Sequence, residues 1–197
     1  MKRNAILFAC LAGVSLICSS SAFAHPGHPA HDFTTGLAHP FTGIDHILAM
    51  LAIGLWAGQC GGRAIWAIPA AFVGAMLAGG MLGFASGISH PLVEGGIAAS
   101  VLVLGLLVAT ARKLPLIVGV LLSVVFALCH GFAHGAELAA GSSALTYSAG
   151  FLLATATLHA VGLSISIWKN ESVMEKLVRS AGVVIAISAV PVWLGLF

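Results

Sequence analysis

His39-Pro40-Phe41-Thr42-Gly43-Ile44-Asp45-His46-Ile47-Leu48-Ala49-Met50 sets two histidines and an aspartate at the mouth of an apolar helix. Placing an Asp at the centre of a membrane helix costs about 2.5–3.5 kcal/mol on insertion scales, so ionisable groups in such a segment point to function. Imidazole and carboxylate oxygen suit divalent transition ions, and the stretch reads as part of a metal site. Pro40 fits the first helical turn, where a missing N–H costs little.

The chain around it is that of a membrane protein. Hydrophobic side chains make up 59% and charged ones 7% of the 197 residues, against roughly 45–50% and 25% in soluble domains. The formal charge of +2 comes with no basic stripe, which excludes nucleic acid as a partner. Residues 1–24 read as a cleavable signal peptide: Lys2 and Arg3, an apolar run, then Ala22-Phe23-Ala24. Residues 25–36 form an extracytoplasmic leader, in which His25, His28 and His31 make a tract able to collect metal, or are incidental. Cys10 and Cys18 fall in the signal, and Cys60 and Cys129 alone imply no disulfide framework.

Residues 37–197 predict an all-α, polytopic bundle of six transmembrane helices, near 37–57, 64–84, 91–111, 115–133, 145–168 and 177–197. The segments lack the alternation of a barrel, so their backbone groups must be satisfied within helices. Arg63, Arg112, Lys113, Lys169, Lys176 and Arg179 lie in or beside the loops after helices one, three and five. The positive-inside rule then leaves both mature termini outside the cytoplasm, with the protein in a bacterial inner membrane. Trp56, Trp66 and Trp168 would flank the cytoplasmic turns, and Trp193 the opposite interface. Ala75, Gly79, Gly83 and Gly87, spaced by four, predict close helix packing. Membrane lipid is the surrounding partner, and a homo-oligomer is left open.

On this topology the ionisable groups collect at one membrane face. His39, Asp45 and His46 lie in the outer half of the first helix, His90 and Glu94 at the start of the third, and His130, His134 and Glu137 at the outer end of the fourth. Spacings of seven for His39 and His46, and of four for His90 and Glu94 and for His130 and His134, return each pair to one helix face. Gly131 and Gly135 are expected to loosen the end of the fourth helix. Asp45, Glu94 and Glu137 have no Lys or Arg on their side of the membrane, so each must be protonated, solvated, or held by histidines or a cation. His159, about 14 residues or roughly 21 Å into the fifth helix, lies past the midplane. It reads as a histidine hydrogen-bonded to a neighbouring helix, with an inner relay for a moving ion as the alternative.

The motifs His39-Pro40-x-x-Gly43-x-Asp45-His46-x-x-Ala49-Met50 and His130-Gly131-x-Ala133-His134-Gly135-x-Glu137 resemble those of the HupE/UreJ family of nickel and cobalt permeases, found beside hydrogenase and urease genes. The likeness covers nearly the whole mature chain; the His-rich leader is an addition to the family pattern. It implies metal recognition by His39, Asp45, His46, Glu94, His134 and Glu137. It also implies uptake of Ni²⁺ or Co²⁺ into the cytoplasm and indirect supply of a nickel or cobalt enzyme. The protein itself would be neither an enzyme nor the carrier of a resident cofactor. No G-x-x-x-x-G-K is present for nucleotide hydrolysis, and an inside-negative potential supplies about 4.6 kcal/mol per 100 mV for a divalent ion. The competing reading is an intramembrane zinc hydrolase with Glu137 or Asp45 as base. Bis-histidine haem binding is disfavoured by the adjacent carboxylates.

Overall fold

Apolar runs that must hide their backbone polarity form helices, and the computed structural model is helical throughout the residues it describes, 29–86, 88, 91–138, 143–167 and 171–196. His25, His28 and His90, with the expected signal peptide and Trp168, lie outside them. The elements are α1 (Pro29–Ala38), a 3-10 turn (His39–Phe41), α2 (Ile44–Cys60), α3 (Ala64–Ser86), α4 (Pro91–Thr110), α5 (Leu116–Ala136), α6 (Ala144–Ser166) and α7 (Glu171–Trp193). Four of them, α3 to α6, are long and apolar enough to cross a membrane. They coincide with the segments expected near 64–84, 91–111, 115–133 and 145–168. The α1 and α2 segments, bent by 78° at their junction, would together make a fifth span. Helix α7, with Glu175, Lys176 and Arg179 near its start, is not counted with these.

The first expected helix is therefore corrected: the chain does not run straight from residue 37 to 57. Pro40 sits inside a 3-10 turn, and Gly43 takes an extended conformation (φ −97°, ψ 120°) immediately before Ile44. The Thr42 hydroxyl donates to the His39 carbonyl at 2.7 Å and closes the turn. Upstream, Pro29–Ala38 is helical and takes in the second part of the expected leader. Gly36 is buried against Tyr147, and the Asp32 carboxylate accepts the Ser143 N–H at 2.7 Å.

Helix α2 is the central post. Ala52 to Ala57 are all buried, so no face of this segment meets the surroundings, and α2 contacts α3, α4, α6 and α7. Trp56, Met50, Ile53, Phe72, Ile68 and Leu104 fill the core around it. Trp56, expected to flank a cytoplasmic turn, is fully buried, its indole N–H donating to the Arg112 carbonyl at 2.8 Å. Gln59 Nε2 and Arg179 Nε donate to the Val108 and Ala109 carbonyls, groups that the end of α4 leaves without helical partners.

Close packing rests on glycine, as the spacing in α3 predicted. Gly79 and Gly83 of α3 face the Leu128 and Phe132 backbone of α5, and Gly131 and Gly135 of α5 face the Met76 and Gly80 carbonyls of α3. Each leaves room only for a hydrogen, so the two backbones touch along several turns. Gly131 and Gly135 thus do not loosen α5, which continues to Ala136; they seat it. Outward faces carry Met81, Leu92, Leu145, Ile187 and Trp193, all more than half exposed, the arrangement an apolar surrounding favours.

Candidate metal site

Asp45 and His46 occupy the first turn of α2, where the helix N-terminus favours a carboxylate. Asp45 Oδ1 accepts the His46 backbone N–H at 2.8 Å and faces His46 Nδ1 at 3.0 Å. A carboxylate oxygen in that position holds the imidazole proton on Nδ1, which leaves Nε2 with its lone pair free.

What faces that lone pair comes from α5. His130 and His134, one turn apart and both buried, direct Nδ1 and Nε2 respectively toward His46 Nε2, the first at 3.0 Å and the second in closer contact. The far side of His130 is also fixed. Ser100 Oγ of α4 donates to the Ile97 carbonyl at 2.6 Å, so at 2.7 Å it accepts from His130 Nε2–H. His130 then presents an unprotonated Nδ1 to an unprotonated His46 Nε2. Two facing lone pairs repel unless a cation lies on them. Metal–nitrogen bonds of about 2.1 Å at right angles put two nitrogens about 3.0 Å apart, the separation found here.

The 78° bend delivers His39, which helical periodicity does not. From the 3-10 turn its ring meets the His134 ring edge-on, centroids 4.5 Å apart, and its Nε2 lies 3.9 Å from Glu137 Oε2. Ligand atoms of His39, His134 and Glu137 all lie within 4.8 Å of one another. A cavity of about 220 Å³ is lined by His39, Asp45, His46, Glu94, His134 and Glu137. The cavity thus collects every described candidate except His130, which joins the cluster one layer deeper through His46. Glu137, just past the end of α5, has its pKa raised by partial burial and by the Glu94 and Asp45 charges, against a lowering by His46.

Sequence reasoning missed two contributors. Ser100 sits in an uninterrupted apolar run with its partner 30 residues away, and nothing local marks it. Phe151 of α6 packs its ring against His39, His46 and His134, nearest to His134 at 4.4 Å, and closes one side of the cluster with an apolar wall. His159 was expected to bond to a neighbouring helix; it is buried, and neither ring nitrogen has a hydrogen-bond partner among the described residues. A buried group left so costs about 1–3 kcal/mol.

Long apolar helices around a histidine–carboxylate cluster of the kind that could hold a metal ion fit a multi-pass membrane protein. The profile described as "HupE / UreJ protein" matches residues 13–192, and the chain belongs to that family. It is 43% identical over 181 residues to "Protein HupE" of Rhizobium leguminosarum bv. viciae, covering 92% of this chain and 94% of the relative. No solved structure matches it. Membership in the HupE/UreJ family supports a role connected with nickel or cobalt transport and fits a protein that is not an enzyme.

Proposed function

We propose that this protein takes up Ni²⁺ or Co²⁺ from the extracytoplasmic side of a bacterial inner membrane into the cytoplasm. The observation that carries the reading is the convergence on His46 Nε2 of two more imidazole nitrogens, with its own proton held by Asp45. An ion captured at the open rim by Glu94, Glu137 and His39 would move down onto His46, His130 and His134 as it loses water. Mixed imidazole and carboxylate ligands bind a divalent ion well enough to strip water and exchange readily enough to release it. On this reading six spans cross the membrane, α1 and α2 together making the first, and both mature termini lie outside. The ion is cargo, no resident cofactor takes part, and a nickel or cobalt enzyme receives the metal downstream. Nothing in the site favours the hydrolase alternative: each carboxylate nearest the histidines orients a ring or lines the rim.

The test is uptake of labelled Ni²⁺ and Co²⁺ by cells with and without the gene. Gene-dependent accumulation that responds to membrane potential is expected; equal accumulation in both would end the proposal.

A further inference from the structure

Below the cluster, α3 and α6 face each other through two rungs. One helical turn separates Phe72 from Met76 on α3, and one turn separates Thr155 from His159 on α6. In the upper rung the Thr155 hydroxyl donates to Met76 Sδ at 3.6 Å, both residues being buried. In the lower rung Phe72 meets His159 edge-on, ring centroids 5.2 Å apart and planes at 88°. The same Phe72 ring lies 6.0 Å from that of His130. A single aromatic ring therefore separates the deepest histidine of the cluster from His159, while Met76 also lines a small cavity shared with His134.

His159 is 3% exposed, and neither ring nitrogen has a hydrogen-bond partner among the described residues. An open, largely apolar groove of about 500 Å³ flanks it, lined among others by Ile65, Pro69 and Val73 of α3 and Ala160 and Leu163 of α6. Pro69 has no N–H to give the Ile65 carbonyl four residues back, so a backbone oxygen is freed one turn from the proline, beside the same groove. Freed carbonyls in broken helices are the sort of group that coordinates ions within membrane proteins. A polar ring with two unused nitrogens, next to a freed oxygen and one ring away from the metal cluster, is costly for packing alone. It is well placed for a passing cation.

We propose that His159 is a second, transient ligand for the permeating ion on the inward side of Phe72, a station between the outer cluster and the cytoplasm. This rests on the uptake reading above and deepens it. The passage of an ion from His130 to His159 exchanges one imidazole for another, with movement of the Phe72 ring opening the way. Because His159 has no other bonding duty, its loss would slow transfer without weakening capture.

The experiment compares the parent, His159→Leu, His159→Gln and His134→Ala for Ni²⁺ uptake normalised to membrane protein level, and for Ni²⁺ binding by the purified full-length chain. Both His159 variants are expected to bind Ni²⁺ as the parent does and to transport at least tenfold more slowly at saturating metal. Uptake at the parent rate by either variant overturns the proposal, as does a loss of binding that matches the loss of uptake. His134→Ala reports on the other reading: binding and uptake unchanged in that variant would remove the outer cluster, whatever the His159 variants do.

Discussion

His46 Nε2 and His130 Nδ1 face each other at 3.0 Å although 84 residues separate them in the chain. Neither nitrogen carries a hydrogen, because Asp45 holds the His46 proton on Nδ1 and Ser100 holds the His130 proton on Nε2. We propose that this pair, oriented by two partners that do not themselves meet it, binds the cation. Such outer partners typically account for 10–100-fold in metal affinity.

Ser100→Ala should accordingly lower Ni²⁺ affinity by about tenfold while leaving the helix intact, since it removes only the acceptor that fixes the His130 tautomer. Titration of the purified variant with Ni²⁺ checks this. Parent affinity would show that the tautomer is fixed some other way.

Protons compete with the ion for the same lone pairs. Glu137 has a raised pKa, so as pH falls it takes up a proton earlier than an ordinary carboxylate and ceases to attract a cation. Uptake should therefore fall as the outside pH is lowered from neutrality toward the carboxylate range, with membrane potential held constant. A flat profile would argue against ligation by these groups.

Packing of α5 on α3 supports the site as much as the ligands do. A Cβ at Gly131 would meet the Met76 carbonyl, whereas one at Gly74 meets nothing within 4 Å. Gly131→Val should lower the melting temperature of the purified protein and its level in the membrane, at a cost of about 1–3 kcal/mol or more. Gly74→Ala should do neither. Equal behaviour of the two variants would contradict the close approach described here.

Much of this arrangement was legible in the chain. Long apolar runs predict α3 to α6 because no other structure satisfies their backbone, and glycines four apart predict which face of α3 meets a neighbour. His130 and His134 share a face by helical spacing, as found. His39 reaches the site by a different route from the expected one. Pro40 and Gly43 were visible, but a proline near a helix start is equally at home in a first turn, and hydropathy alone does not register a 78° bend. Ser100, Phe151 and the solitary state of His159 depend on contacts between helices, which no local pattern encodes.

Topology has its own test. Reporter fusions after Arg112 and after residue 197 should give cytoplasmic and extracytoplasmic signals respectively, as the distribution of basic residues requires. The reverse pattern would place the cluster at the inner face and turn uptake into export.

The central claim is that one ion is handed through ligands drawn from α2, α4 and α5. Asp45→Asn, Glu94→Gln and His134→Ala each remove one contributor, and with it part of the charge or ligation that would draw a cation out of water into the bundle. The most direct measurement is Ni²⁺ accumulation in cells producing each variant, normalised to the amount of protein in the membrane. Normal insertion and at least tenfold less uptake are expected for all three. Transport at the parent level by all three would contradict it.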